Sequence, residues 1–269
     1  MTPRADLYKL AMPTVLGPPA LLYSWSDRWL YIGPFDYVGE HVHGSVVIHV
    51  GLYEAFQVRM VGDDWVTCRC SIVPAGVPHE LILSGHVLGV LFIEPESPSF
   101  YQVQRRYPYR GDRITYARSA STVACVRQVY ERACDDVEAV GYRIDQLLKP
   151  DLDYPTGLDG RTVKAMRLIR AHADENISHT VVAQYLNISP SHFLHLFRAE
   201  AGVPFRRFRM WTRLVRATSM MRGSQNLTVI AADNGFTDSA HFSRCFRDTF
   251  GIQPSYIHQS VNGASIIRP

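Results

Sequence analysis

A chain of 269 residues with 46% hydrophobic and 20% charged side chains has the make-up of an ordinary folded protein, long enough for two cores. Its five cysteines (Cys68, Cys70, Cys125, Cys134, Cys245) are too few and too scattered for a disulfide framework, and no run approaches the roughly 18 apolar residues of a membrane span. The net charge of +3 hides a division: 14 Lys/Arg stand against 6 Asp/Glu from Arg161 onward, and 14 against 19 before it. A basic C-terminal block, rich in Arg over Lys, points to a polyanionic partner for that block alone, since the guanidinium fork suits phosphate and guanine.

The first apolar stretch, Leu10 to Tyr23, is broken by Pro13, Pro18 and Pro19 and lacks a signal-peptide pattern, so the expected location is the cytoplasm. Residues 20–100 read as strands: β-branched and aromatic runs such as WLYIG, VVIHV, AFQVRM and VLGVLFIE alternate with Gly, Pro and Asp punctuation, including the turn at Gly62-Asp63-Asp64. Evenly spaced short strands predict a sandwich or small barrel. His41 and His43 share one strand face because side chains alternate with period two. Pro74 to His79 then reads P-x-G-x-x-H. Together these pieces resemble the two half-motifs of the cupin barrel, whose histidines often hold a divalent metal.

The Glu that metal-binding cupins carry shortly after H-x-H is replaced here by Ser45, Val46, Val47 and Ile48. Two readings of His41, His43 and His79 stand: a divalent metal site with an open fourth position, or barrel-lining side chains with no metal. No cofactor is required beyond that candidate metal. For an organic effector, Trp25, Trp29, Tyr31, Phe56 and Trp65 are the candidate pocket walls, or equally core. Cys68 and Cys70 also share a face, which admits a redox or metal role, but small buried residues are the favoured reading.

From Ala117 to Leu148 the pattern turns helical. Val123, Val126, Tyr130, Ala133, Val137, Val140, Ile144 and Leu147 recur at spacings of three and four, an a/d stripe that suits either a dimer seam or packing on the chain's own barrel. Gly141 is a candidate break. Residues 149–160, rich in Pro, Gly and Asp, read as a linker.

Beyond it, Arg161 to Ala173 is a basic amphipathic helix. Thr180 is placed to cap the short helix VVAQYL, Asn187-Ile188-Ser189 makes a turn, and Pro190 opens the next helix. Pro204 to Met221 forms a long helix carrying Arg206, Arg207, Arg209, Arg213 and Arg216. Leu227 to Ile257 repeats the design: a helix, a turn at Asn234-Gly235, and a second helix burying Phe242 and Phe246. S-x-S-x-F-x-x-x-F followed by Ala201-Gly202-Val203-Pro204-Phe205, and Gly235-Phe236, F-x-x-x-F, then Gly251-Ile252-x-Pro254-Ser255, strongly resemble the two helix-turn-helix motifs of the AraC/XylS family of bacterial transcription regulators.

That resemblance implies double-stranded DNA as partner, with base contacts from Ser191, His192, Leu194 and His195 in the first reader. In the second they come from Ser239, Ala240, His241, Ser243 and Arg244, and Arg198, Arg206 and Arg247 hold phosphates. His195 stands where many relatives carry Arg, which shifts the larger share of base recognition to Arg244. The Arg pair that commonly follows the second motif is absent after Pro254. The resemblance also implies a small-molecule effector, a homodimer formed through the connecting helices, and RNA polymerase as a further contact, with no membrane partner.

The fold expected is therefore α+β and multidomain. Residues 1–110 form a cupin-like sensor barrel, 111–148 connecting helices, 149–160 a linker, and 161–269 an all-α DNA-binding domain with two helix-turn-helix motifs. The function expected is an effector-responsive transcription regulator and not an enzyme. A metal-dependent cupin enzyme fused to a DNA-binding domain is the alternative, and a third reading makes the N-terminal domain a dimerisation module without ligand.

Overall fold

The computed structural model describes residues 20–149 and 158–267, apart from residues 26, 85, 96, 108–111, 118, 133–135, 222–225 and 256–265. Most of the expected linker, Ala133 of the stripe and residues 256–265 lie outside the described residues. Strands dominate the N-terminal half: β1 (Leu21–Ser24), β2 (Arg28–Pro34), β3 (Tyr37–His41), β4 (Val46–Gly51), β5 (Phe56–Met60), β6 (Val66–Cys68), β7 (Cys70–Val73), β8 (His79–Ile82), β9 (Val87–Ile93) and β10 (Thr115–Tyr116), with β11 (Ile266–Ile267) added from the far end of the chain. They make a seven-stranded sheet in the order β10-β7-β4-β9-β2-β1-β11 and a four-stranded sheet in the order β3-β8-β5-β6. The expected barrel is thus two separately hydrogen-bonded sheets around a shared core, not a closed ring.

The large sheet is buried on both faces, which is why its strands read as continuous apolar runs. Along β4, Val46, Ile48 and Val50 belong to an outer core, while Val47 belongs to the core between the sheets. On β2, Leu30 and Ile32 face outward and Tyr31 inward. The outer face is covered by α1 (Pro98–Arg106), α2 (Ala120–Arg132) and α3 (Val137–Leu148). Val126, Tyr130, Val137, Val140, Ile144 and Leu147 are all buried there. The heptad-like stripe therefore packs on the chain's own sheet. A helix lying on a sheet and a helix in a coiled coil need the same apolar period, and only tertiary structure separates them.

Gly141 does not interrupt α3. The break comes before it, where the Asp136 side chain accepts from Glu138 N–H at the start of α3. Gly141 instead allows close approach, since a Cβ there would lie 2.7 Å from Trp25 Nε1. Beside it, buried Arg28 donates to Ser99 Oγ (2.6 Å), Asp145 Oδ1 (2.5 Å) and the Gly141 carbonyl (3.2 Å), tying β2 to α1 and α3.

The C-terminal half is helical: α4 (Gly160–Ala171), α5 (His179–Tyr185), α6 (Pro190–Ala201), α7 (Phe205–Met220), α8 (Leu227–Asp233) and α9 (Ser239–Phe250). The N-cap of α5 is Ser178, whose hydroxyl accepts from Val181 N–H, and Thr180 lies inside the helix. Ser178 wins because its oxygen reaches a first-turn N–H that would otherwise lack a partner. Among the described residues, no helix is long and apolar enough to cross a membrane.

Candidate nucleic-acid interface and buried histidine site

The helix pairs α5–α6 and α8–α9 are built alike. Ser189 caps α6 by accepting from His192 N–H, and Asp238 caps α9 by accepting from His241 N–H. Both helices end on a left-handed glycine, Gly202 and Gly251, each with φ of 73°. Phe193 and Phe197 bury one face of α6 against Phe205 and Phe208, and Phe242 and Phe246 bury one face of α9 near Phe236. The opposite faces point outward. On α6, Ser191, His192, Leu194, His195 and Arg198 are exposed. On α9, Ala240 and Arg244 are exposed, and Ser239, His241, Ser243 and Arg247 are half-buried. Arg206 is exposed at the start of α7 and shares a cleft with Leu194, His195, Arg198 and Arg209.

The 16 residues of α7 span about 24 Å at 1.5 Å per residue. Its arginines divide by job. Buried Arg213 donates to the carbonyls of Ala173 (3.3 Å), Glu175 (3.2 Å) and Gly235 (3.3 Å), gripping the α4–α5 connection and the α8–α9 turn at once. Arg209 donates to the Ile177 carbonyl, and Arg216 pairs with Asp174 at 2.7 Å. These three arginines recur at spacings of four and three, one helix face, and that face meets residues 173–177. The spacing was the available signal for a structural role, and sequence reading passed over it.

α7 and α9 rest on the mouth of the paired sheets. Trp211 packs on Trp29, His43, Phe92 and Phe250, and its Nε1 donates to Glu94 Oε1 at 2.9 Å. The other Glu94 oxygen accepts from Arg170 at 3.1 Å. Val42 N–H donates to the Asp248 carbonyl of α9 at 3.2 Å. Behind this contact lies a cavity of about 60 Å³, lined on the sheet side by Trp29, Tyr31, Val38, Leu88 and Phe92 and on the helix side by Thr218, Phe246, Phe250 and Ile252.

His41, His43 and His49 border that cavity, and His79 adjoins them. One ring nitrogen from each of His41, His43 and His79 lies within 4.8 Å of the others. Nδ1 of His41 lies 2.7 Å from the Gly39 carbonyl and Nδ1 of His79 lies 2.9 Å from the Val77 carbonyl, so in each ring Nδ1 carries the proton. Nε2 of His41 is 3.0 Å from Nε2 of His43. Burial pushes the pKa of His41 down to about 3 and those of His43, His49 and His79 well below the ordinary imidazole value. The rings are neutral at neutral pH. Burial likewise raises Cys68 and Cys70 to about 12, which leaves both as inert thiols.

Residues 182–259 match the family described as "Helix-turn-helix domain". The Regulatory protein PocR of Salmonella typhimurium is 22% identical over 221 residues, 72% of this chain and 71% of that protein. The Arabinose operon regulatory protein of Escherichia coli is 32% identical over 100 residues, 36% of this chain and 34% of its own. A structure of ToxT from Vibrio cholerae superposes with a TM-score of 0.61 at 14% identity, covering 89% of this chain and 99% of that one. Residues 182–259 carry a helix-turn-helix domain, and the proteins this chain is similar to are regulators of the arabinose-operon kind.

The ToxT likeness is one of fold, and it extends to the sheet-rich half of the chain, where the helix-turn-helix match does not reach. Of the five aromatic residues considered for an effector pocket, Trp29 and Tyr31 line the cavity. Phe56 lies in the core between the sheets, Trp25 stacks on Tyr23 beneath α3, and Trp65 lies beside Arg59 at the outer edge of the small sheet. Sequence reading missed the cavity's other wall, Phe246, Phe250 and Ile252, because these belong to the reader motif and lie about 200 residues away along the chain.

Proposed function

We propose that the protein is an effector-responsive, sequence-specific transcription regulator whose α6 and α9 enter successive major grooves of DNA. Residues 1–110 act as the sensor, with the cupin-like relationship resting on its two histidine motifs. Residues 111–148 are connecting helices, 149–160 a linker, and 161–269 the reading domain. Ser191, His192, Leu194, His195, Ser239, Ala240, His241, Ser243 and Arg244 read base edges, and Arg198, Arg206 and Arg247 hold phosphates. The observation that carries the effector half is the shared cavity: an apolar pocket whose walls come from the sheets and from α9 gives a ligand differential contact with the docked and undocked arrangements.

A ToxT structure in the same comparison contains an unsaturated fatty acid. Drug-sized ligands fill pockets of about 300–1,000 Å³, and the 60 Å³ here admits no such chain until Phe246 and Phe250 move. The effector is therefore an apolar molecule whose entry shifts the second reader. A homodimer would have to use other surfaces than the stripe of α2 and α3, which the sheet already covers. The enzyme reading finds less support, since the relatives that match are regulatory proteins.

Selection of bound sequences from random duplexes tests the DNA half. Two conserved blocks one helical turn apart are the expected result, and enrichment of a single short block would overturn reading by both helices. Thermal-shift screening with apolar carboxylic acids and alcohols tests the sensor half, because a ligand bound to the native state alone raises Tm with concentration.

A further inference from the structure

Two of the three clustered imidazoles have their Nδ1 protons fixed by backbone carbonyls, which leaves bare lone pairs on Nε2 of His41 and His79. A proton on His43 Nε2 satisfies His41, but Nε2 of His79 then has no hydrogen-bond partner among the described residues. An orphaned polar atom at complete burial is costly, and a site that keeps one facing two further imidazoles commonly holds something. A cation satisfies all three rings at once. Metal–nitrogen bonds of about 2.0–2.1 Å at a tetrahedral centre require nitrogens about 3.3 Å apart. The observed separations, from 3.0 Å for one pair to within 4.8 Å for the set, bracket that value.

The same cluster is covered from the other half of the chain. Gly251, at the end of α9, packs so closely that a Cβ there would lie 2.9 Å from His41 Nδ1. Trp211 and Phe250 lie on His43 with ring centroids 6.2 and 6.3 Å away, and the Thr249 backbone lies beside the same ring. Val42, between the two histidines, is hydrogen-bonded to Asp248.

We propose that His41, His43 and His79 together bind one divalent transition-metal ion, and that the docked end of α9 seals it in. Exchange of the ion then requires the second reader to leave the sheets, so occupancy and reader docking are linked. Imidazole-only ligation favours zinc, cobalt, nickel, copper or ferrous iron over magnesium or calcium. The metal half stands on the histidine geometry alone. The sealing half rests on α9 being the second DNA reader.

The test uses the full-length protein, stripped with chelator and titrated with Co(II), whose visible absorption reports ligand field and stoichiometry. About one equivalent with tetrahedral-type bands is expected, lost in both His79→Gln and His41→Gln when far-UV circular dichroism shows them folded. Less than about 0.1 equivalent bound, or unchanged bands in both variants, overturns the metal site. Glu94→Ala removes the acceptor of Trp211 and Arg170 without touching a ligand. It should keep the stoichiometry and release Co(II) to excess chelator about tenfold faster or more. Equal release rates overturn the seal. Affinity of the metal-free protein for its selected duplex is measured separately, and its loss would count against the reader assignment and not the metal.

Discussion

Arg244 and Arg206 are both exposed, but they sit differently. Arg244 projects from the first half of α9 beside Ala240, whereas Arg206 lies at the start of α7 in the cleft with Arg198 and Arg209. Arg244→Ala should lower affinity for the selected duplex by about 1–3 kcal/mol and relax preference at one base pair. Arg206→Ala should weaken all duplexes alike and reduce the salt slope by about one. Fluorescence anisotropy against selected and random duplexes at several salt concentrations reads both, and equal loss on both duplexes for Arg244→Ala would remove it from the base-reading set. Arg213 has a third role. Replacing it by Met leaves three carbonyls without their donor, that of buried Ala173 among them, so unfolding in urea should show a loss of roughly 1–3 kcal/mol. An unchanged midpoint would mean those carbonyls find water instead.

Among the elements, α3 shows how much of the fold the sequence disclosed. The spacing of Val137, Val140, Ile144 and Leu147 gave the helix and its apolar face, but not what covers that face. Ile144→Ala should therefore destabilise the monomer by about 2–5 kcal/mol, as in a core, with no change in association state by sedimentation. A shift in oligomer with little loss of stability would restore the seam to a partner copy. Both reader pairs were legible because their signals are short-range: a capping side chain, phenylalanines four apart, and a glycine after the last turn. The strands were legible as runs, but the division into two sheets was not, because β11 pairs with β1 from more than 200 residues away and register is a long-range property. His41, His43 and His79 were found from two motifs. Their closure by Trp211, Phe250 and Gly251 carries no local signature at all.

Taken whole, the molecule sets two readers on a spacer of about 24 Å, whereas successive major grooves on one face of straight DNA lie about 34 Å apart. Curving the duplex toward the protein shortens that separation at an elastic cost of about 1–6 kcal/mol. Circularly permuted fragments should consequently migrate with a bend centred between the two blocks, and position-independent mobility would mean that the readers tilt apart instead. The cavity walled by Phe246 and Phe250 has a consequence of a different kind. One helix presents these rings on its inner side and Arg244 on its outer side, so a guest in the cavity and a duplex on the helix compete for, or agree on, a single position of that helix. Thermodynamic reciprocity then makes the factor by which the guest alters duplex affinity equal to the factor by which the duplex alters guest affinity. For the proposed regulator, the duplex would then act as an effector of the sensor, and a dose–response curve measured on free protein would be displaced from the one measured on the duplex-bound form.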